Sequence, residues 1–220
     1  MTDLFKYPSI RHLVALTDVR QDKVFTSKEL EAFLDNDLIL EEKLDGANLG
    51  FSTNHRIVVA QNRGKIIDLR TPEPQFKKLK DWINQSQLRD LSENYILFGE
   101  WMYAKHSILY TELCDWFYAY DLYDRESGKW ASREVLTNLC GSLGIYTAPH
   151  FLSGRFELDQ LIDQTRTRSF LYDGPKEGIV IRVEDDFNCK QVAKIVRADF
   201  TQSIEEHWSS RTLIPNRRVS

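Results

Sequence analysis

The sequence has few cysteines, no long apolar run, and no repeat or low-complexity stretch. Its three cysteines include no short-spaced pair, which argues against a disulfide framework and a zinc site and predicts a reducing, cytoplasmic compartment. No uncharged apolar run reaches the roughly 18 residues of a membrane helix. The opening residues, MTDLFKYPSIRH, lack the apolar core of a signal peptide. No membrane partner is therefore expected.

The chain also lacks an excess of basic residues, because its formal net charge is -4. A protein that coats nucleic acid is usually basic, so any nucleic-acid surface here must be local. The 220 residues are 42% hydrophobic and 28% charged, which is typical of a globular protein. We expect a single domain over residues 1–220, with its core at about 5–200.

Apolar patterning and turn residues predict many strands with helices inserted between them. The capping box from Thr26 to Glu29 indicates the start of one helix. Further helices are predicted over 75–91, 132–141 and 157–165. Strands are predicted at 38–43, 49–51, 57–60, 95–98, 116–123, 178–183 and 191–196. No βαβ alternation is present, so the pattern predicts an α+β fold built on antiparallel sheets.

Residues 42–48, EKLDGAN, place a lysine at the end of an apolar strand, just before a glycine turn. A lysine is a nucleophile only when neutral, and partial burial and nearby cations lower its pKa. Asp45 shares a face with Lys43 if the chain is extended. Taken alone, the segment is explained better by a strand-end lysine paired with an acid in a hairpin.

Four later segments change that balance because they follow in a fixed order. They are 98–100 (FGE), 117–121 (FYAYD), 177–182 (EGIVIR) and 192–196 (VAKIV). The series resembles the nucleotidyltransferase motifs of the covalent ligase and capping-enzyme superfamily. Within that superfamily it is most similar to ATP-dependent RNA ligases of the bacteriophage T4 RNA-editing-type class. The resemblance runs from about residue 5, in the opening FKYPSI, to about residue 200.

The resemblance implies an antiparallel-sheet nucleotidyltransferase (adenylation) domain with inserted helices and no OB domain. It implies that Lys43 attacks the α-phosphorus of ATP and forms a lysyl-adenylate, with release of pyrophosphate. AMP would then pass to the 5'-phosphate of an RNA, and an RNA 3'-hydroxyl would displace it. Each step is a displacement at phosphorus, in which positioning and charge neutralisation do most of the work.

The resemblance also implies roles for residues that bind the nucleotide. Arg63 would hold the nucleotide or the RNA end, although a hairpin-tip arginine in solvent explains it too. Glu100 would bind the ribose hydroxyls, and its alternative is an ordinary strand-end carboxylate. Tyr120 would stack on the adenine, with core packing as the alternative. Tyr118 is the reserve candidate on the same strand.

The remaining expected residues face the phosphates and the purine edge. Glu177 would hold a hydrated Mg²⁺ or Mn²⁺, and Lys194 would neutralise the α-phosphate in the transition state. Backbone groups of Glu42 and Leu44 would read the purine edge. Asn48 is typical of the RNA-joining class, whereas DNA ligases usually carry arginine there.

The sequence departs from the family pattern in its last motif, where Val196 replaces a second lysine and Arg197 is the neighbouring cation. Only about twenty residues follow Phe200, so an accessory protein or domain for sealing is expected. Several basic residues could contact RNA locally; they are Arg63, Lys194, Arg197, Arg211, Arg217 and Arg218. A solvated tail is the alternative explanation for the last three. Two alternative functions stay open: a guanylyltransferase that uses GTP, and a non-catalytic RNA-binding module.

Overall fold

The structure, a computed structural model, describes residues 4–17, 19, 23–202 and 213–219. These residues form the α+β fold that the sequence predicts. The strands are β1 (Arg11–His12), β2 (Leu38–Lys43), β3 (Ala47–Asn54), β4 (Ile57–Asn62), β5 (Lys65–Ile66), β6 (Tyr95–Trp101), β7 (Phe117–Asp124), β8 (Lys129–Ala131), β9 (Tyr146–Thr147), β10 (His150–Gly154), β11 (Gly178–Glu184) and β12 (Asn188–Val196). The helices are α1 (Ser27–Leu34), α2 (Leu79–Gln85), α3 (Arg133–Leu143), α4 (Leu158–Gln164) and α5 (Ala198–Gln202).

Within the described residues the strands form one sheet in the order β10-β2-β11-β12-β8-β7-β6-β3-β4-β5. Neighbours along this path are antiparallel, whereas β1 joins β12 and β9 joins β7 in parallel. The three-residue β8 links two larger halves, since it pairs with only two residues of β12 and two of β7. The sheet therefore has a first half around β2 and β11 and a second half around β6 and β3.

Each half of the sheet is covered by its own apolar core. The first half packs against α1 and α4 through a cluster that includes Phe33, Leu40 and Leu161. The second half packs against α2 and α3 through a cluster that includes Phe51 and Trp82.

Two helix predictions differ from the structure. The helix expected over 75–91 is broken into a 3₁₀ turn at Pro74–Phe76, helix α2, and a second 3₁₀ turn at Leu88–Asp90. Ser86 ends α2 in an extended conformation, and its hydroxyl donates to the Ile83 carbonyl at 2.9 Å. A serine side chain that bonds the backbone competes with helix continuation.

Helix α3 runs past Gly141 and ends at Leu143, because Gly144 adopts the left-handed conformation at φ 64°. This conformation suits glycine at a helix C-terminus. The capping box at Thr26 is confirmed: its side chain accepts from the Glu29 amide. Among the described residues, no helix is long and apolar enough to cross a membrane.

The chain crosses from the first half of the sheet to the second through a three-residue turn after Lys43. A Cβ atom on Gly46 would lie 2.6 Å from the Trp101 carbonyl oxygen, so only glycine fits this crossing. Strand β3 starts directly after the turn and pairs with β6, which sets Asn48 opposite Glu100. The turn therefore places Lys43 on one half of the sheet and Asn48 on the other.

Candidate active site

A cleft of about 570 Å³ opens beside this crossing, and a narrower cavity of about 110 Å³ adjoins it. Lys43 and Tyr120 line both spaces. A volume of roughly 300–1,000 Å³ is typical of small-molecule sites. Eight of the nine predicted site residues line the cleft, the cavity or both: Glu42, Lys43, Leu44, Asn48, Arg63, Glu100, Tyr120 and Lys194. The ninth, Glu177, reaches the site through its contact with Lys43.

Lys43 is the last residue of β2 and pairs with Gly178 of β11. Its Nζ atom lies 2.6 Å from Oε1 of Glu177, with the two side chains 24% and 7% exposed. The ion pair therefore lies at the wall of the cleft, with the lysine still reachable from solvent.

The carboxylates around Lys43 set its charge. Burial alone would lower the pKa of Lys43, but the negative charges of Glu177, Glu100 and Asp45 outweigh it, and the pKa is raised. The expectation that burial and nearby cations leave this lysine with a lowered pKa is therefore wrong for this arrangement. Lys43 is held as an ammonium group until the charge on these carboxylates is offset.

Burial also shifts the pKa of two of these carboxylates strongly. Burial raises the pKa of Glu177 to about 7, and it raises the pKa of Glu100 to about 8. Glu100 Oε1 accepts a hydrogen bond of 3.0 Å from the Gly46 amide. Perturbed acids of this kind cluster at functional sites.

Glu177 has a free acceptor that fits a hydrated metal ion. Its Oε2 atom is buried and has no hydrogen-bond partner among the described residues. Hard cations such as Mg²⁺ prefer oxygen ligands and keep several waters, so one or two carboxylates suffice. In the part of the chain that the structure describes, no three His, Cys, Asp or Glu residues group to hold a metal by themselves. Water and substrate oxygens would complete the shell.

Lys194 lies on β12 opposite Val180 and lines the cleft. Burial and the nearby charge of Lys43 lower its pKa to about 8. Val196, two residues on, is buried in an apolar cluster. Arg197 does not replace the missing lysine, because its Nε donates to the Lys176 carbonyl at 3.0 Å.

Tyr120 lies on a β-bulge. Phe98 pairs with Asp121 and Gly99 pairs with Ala119, so Tyr120 is an extra residue of β7 with no partner in β6. Its hydroxyl accepts a hydrogen bond from the side-chain amide of Asn48. Bulges beside active sites re-aim a side chain. Tyr120 is therefore presented to both the cleft and the cavity.

Tyr118, the reserve candidate, is turned away from this site. It is 2% exposed, and its hydroxyl accepts from the Cys114 amide at 2.7 Å. It belongs to an apolar cluster with Leu44. Geometry therefore favours Tyr120 for stacking.

The position of Arg63 agrees with the hairpin-tip explanation, and its role in holding the nucleotide or the RNA end stays a prediction. The residue forms the tip of the β4–β5 hairpin, where Arg63 and Gly64 have positive φ angles of 47° and 80°. Positive φ at both turn residues is typical of a type I′ hairpin. The side chain also lines the cleft. The preceding Asn62 donates from its side chain to the Asn48 carbonyl at 2.6 Å, which ties this hairpin to β3.

Glu42 has a different environment from the one expected. Its backbone N–H donates to the Pro149 carbonyl at 2.8 Å, so this donor is not available to a purine. Its carboxylate accepts from the Ser169 hydroxyl at 2.5 Å and from the Phe170 amide at 2.9 Å. Glu42 therefore anchors the loop that precedes Glu177. Leu44 packs its side chain into an apolar cluster and lines the cavity.

Glu41 is a site residue that sequence reasoning missed. It is 1% exposed, lines the cavity, and accepts from Arg133 through Oε1. Its Oε2 atom is buried and makes no hydrogen bond to the described residues. The sequence signal that could have pointed to Glu41 is its position two residues before Lys43, since alternate residues of a strand share a face.

The structure resembles solved RNA ligase structures from Naegleria gruberi. A ligand-free variant is 14% identical with a TM-score of 0.69, covering 93% of this chain and 62% of that one. A variant with ATP and Mn is 15% identical with a TM-score of 0.68, covering 91% and 60%. The enzyme with PPi is 16% identical with a TM-score of 0.66, covering 93% and 63%. These similarities show the shared fold, over less than two thirds of the Naegleria chains.

No protein of curated function matches the sequence. A family model described as RNA ligase matches residues 36–196, which contain the lysine segment and all four later motifs. That match covers well over half of the 220 residues. The chain therefore belongs to the RNA ligase family.

Proposed function

We propose that this chain is an ATP-dependent RNA ligase that joins RNA 3'-hydroxyl and 5'-phosphate ends through a lysyl-adenylate on Lys43. Its catalytic unit would be one domain with a core at about 5–200. The observation that carries the proposal is the Lys43–Glu177 pair, at 2.6 Å, beside a cleft that also presents Arg63, Lys194 and Tyr120. A strand-end lysine in an ordinary hairpin would lack these partners.

In the first step, the Lys43 nitrogen forms a bond to the α-phosphorus of ATP while the bond to the pyrophosphate oxygen breaks. The attacking nitrogen must first lose the proton that its carboxylate neighbours favour. Lys194 lines the same cleft, where its charge would offset negative charge that develops on the α-phosphate.

Glu177 would hold a hydrated Mg²⁺ or Mn²⁺ through its free Oε2 atom. When bound, the ion supplies positive charge that competes with Lys43 for this carboxylate and so lowers the pKa of the lysine. The Naegleria ligase was solved with ATP and Mn, which supports this pairing of nucleotide and metal.

The nucleoside would be held by residues of both halves of the sheet. Tyr120 would stack on the base, Glu100 would bind the ribose hydroxyls, and Arg63 would hold phosphate or ribose oxygens.

Burial raises the pKa of Glu41, while the charges of Arg182 and Arg133 oppose that rise. In its ionised form Glu41 would favour adenine over guanine, because a carboxylate oxygen only accepts hydrogen bonds. The adenine exocyclic amine donates, whereas the guanine oxygen at the same position accepts.

The second and third steps require RNA at the same cleft. AMP passes from Lys43 to the RNA 5'-phosphate, and the 3'-hydroxyl then attacks that phosphate and releases AMP. Arg63 and Lys194 can contact RNA there, whereas Arg197 and Arg218 are engaged with Asp199 and Asp115. Arg211 lies outside the described residues. An accessory protein or domain could supply further RNA contacts for sealing.

We further propose RNA repair in the cytoplasm as the setting of this reaction. The resemblance to RNA-editing-type ligases supports the role in repair. All three cysteines are free thiols, which suits a reducing compartment.

Incubation with α-labelled ATP and Mg²⁺ tests the first step directly. We expect label on the polypeptide that resists denaturation and is absent from Lys43→Ala. Sealing is tested with nicked and single-stranded RNA carrying a 5'-phosphate. Adenylated protein without joined RNA would point to a missing partner.

The same assay separates the two alternative functions. Label from GTP but not from ATP would indicate a guanylyltransferase and contradict the role given to Glu41. Label from neither nucleotide, with Mg²⁺ or Mn²⁺, would favour a non-catalytic RNA-binding module.

A further inference from the structure

The segment 213–219 lies beyond the part of the chain that matches the family model, yet it packs close to the active site. It runs along the loop 102–116 that connects β6 to β7. The Lys105 amide donates to the Ile214 carbonyl at 2.8 Å, and the Val219 amide donates to the Leu113 carbonyl at 2.8 Å. Arg217 and Arg218 are exposed, as expected of a solvated tail, but the backbone of this stretch is held by hydrogen bonds to the loop.

Asn216 is the centre of this contact. It is 3% exposed, and its side-chain amide nitrogen donates to the Met102 and Ala104 carbonyls at 2.7 and 3.3 Å. Its side-chain oxygen accepts from the Tyr110 amide at 2.9 Å. The Tyr110 carbonyl accepts from the Arg217 amide, also at 2.9 Å. Both backbone groups of Tyr110 are thus held by the segment.

The same loop holds the turn that follows Lys43. The buried Tyr110 hydroxyl accepts from the Asp45 amide at 3.1 Å. The Asp45 carboxylate accepts from the amides of Ser107 and Ile108 at 2.7 and 2.8 Å. Three hydrogen bonds therefore fix Asp45, and all three come from loop residues whose backbone lies between the anchor points of the segment.

We propose that segment 213–219 positions the reactive lysine, with Asn216 as its main positioning residue. Asn216 fixes the backbone of Tyr110, and the loop in turn fixes the Asp45 turn that follows Lys43. The hydrogen bonds described for the segment go to the loop 102–116, so its effect would reach the reaction through the loop. This inference rests on the proposed lysine adenylylation.

The test measures the single-turnover rate of label transfer from ATP in Asn216→Ala. Because a misplacement of about 1 Å can cost about 10²-fold, we expect the rate at saturating ATP to fall at least about tenfold. The ATP concentration for half-maximal rate should change little. Val219→Ala is the matched control, since this exposed side chain shares the segment and keeps its backbone bond to Leu113.

A double-mutant cycle separates positioning from general damage. Tyr110→Phe removes only the hydroxyl that holds Asp45, and it should slow label transfer. If Asn216 acts through Tyr110, the double variant should be less impaired than the product of the two single effects. Multiplicative effects, or an Asn216→Ala rate equal to wild type, would overturn the proposal.

Amide hydrogen exchange provides a readout that does not depend on activity. Asn216→Ala should exchange faster at the Ser107 and Ile108 amides, while the β3 and β6 amides keep wild-type rates. If the wild-type chain takes no label from any nucleotide, the proposed function fails. Faster exchange at those two amides would then still support the link from segment to turn, and unchanged exchange would reject it.

Discussion

One cation lies at each end of the β2–β11 strand pair, and the two differ in how far their surroundings shield them from solvent. At one end, Arg182 is 1% exposed and pairs with Asp121 at 2.7 Å and with Glu184 at 2.5 Å. At the other end, Lys43 pairs with Glu177 at 2.6 Å but remains 24% exposed. The same two strands therefore carry a closed ion network and an open one.

The difference lies in the exposure of each cation and in how many of its own donors are engaged. Both ends leave one carboxylate oxygen without a hydrogen bond among the described residues, Glu41 Oε2 near Arg182 and Glu177 Oε2 beside Lys43. Arg182 uses both terminal nitrogens and Nε, donating also to the Tyr120 carbonyl at 3.1 Å. The Lys43 end gathers an excess of carboxylates and stays partly exposed. A buried cation with engaged donors stabilises one geometry, whereas a partly exposed cation among an excess of acceptors suits a ligand.

Removing Arg182 should give the largest effect on stability. Arg182→Met leaves Asp121 and Glu184 buried without their cation, and we expect the free energy of unfolding to fall by about 3–5 kcal/mol. Urea denaturation measures this loss. Arg56→Met is the control, because its partner Asp90 is exposed and such pairs contribute about 1 kcal/mol or less. Equal losses of unfolding free energy in the two variants would show that the buried Arg182 pairs stabilise the fold no more than an exposed pair does.

Removing the charge of Glu177 should damage activity without damaging the fold. For Glu177→Gln we expect label transfer from ATP to fall about 10²–10³-fold, as for loss of one preorganised polar group. The melting temperature should stay at or above that of wild type, because burial already raises the pKa of this carboxyl to about 7 and disfavours its ionised form. A destabilised Glu177→Gln would show that this end is structural too.

The rate of label transfer should rise with pH. The carboxylates around Lys43 outweigh its burial and raise its pKa, so the neutral fraction grows as pH approaches that pKa from below. Between about pH 7 and about pH 9 we expect up to about a tenfold increase per unit. Single-turnover labelling across this range measures it. A constant rate would mean that Lys43 is already neutral when ATP is bound.

Changes at Tyr120 should give the smallest effects. Tyr120→Leu removes the ring and should weaken ATP binding by about 1–3 kcal/mol, the range for base stacking. Tyr120→Phe keeps the ring and loses only the hydrogen bond from Asn48, so we expect a loss of about 0.5–1.5 kcal/mol. Titration with ATP measures both. A larger effect of Phe than of Leu would argue against stacking.

The structure brings the predicted residues together at one cleft and cavity, because several of their motifs stand at strand ends. Lys43 is the last residue of β2, Glu100 lies near the end of β6, and Glu177 directly precedes β11. In an antiparallel pair the end of one strand lies beside the start of the other, so Lys43 and Glu177 meet once β2 and β11 are neighbours in the sheet. Lys194 lies within β12, and only the resemblance to the ligase family singled it out.

The rest depended on contacts that no local pattern shows. Strand β8, which links the two halves of the sheet, has only three residues and no periodic signal. The break of the helix at Ser86 depends on one side-chain hydrogen bond. The raised pKa of Lys43 depends on carboxylates that arrive from three separate segments. Sequence reasoning therefore missed mainly the short strands and the pKa shift that several charges, distant in sequence, produce together.

The bulge at Tyr120 makes the length of β7 a part of the active site. A regular ladder would have no place for Tyr120 between Ala119, which pairs with Gly99, and Asp121, which pairs with Phe98, so this side chain is present only because β7 has one residue more than β6 here. The proposed base-stacking surface therefore depends on the number of residues in β7 as much as on the tyrosine itself. Anyone who transplants this strand into another ligase must carry over its extra residue together with its tyrosine.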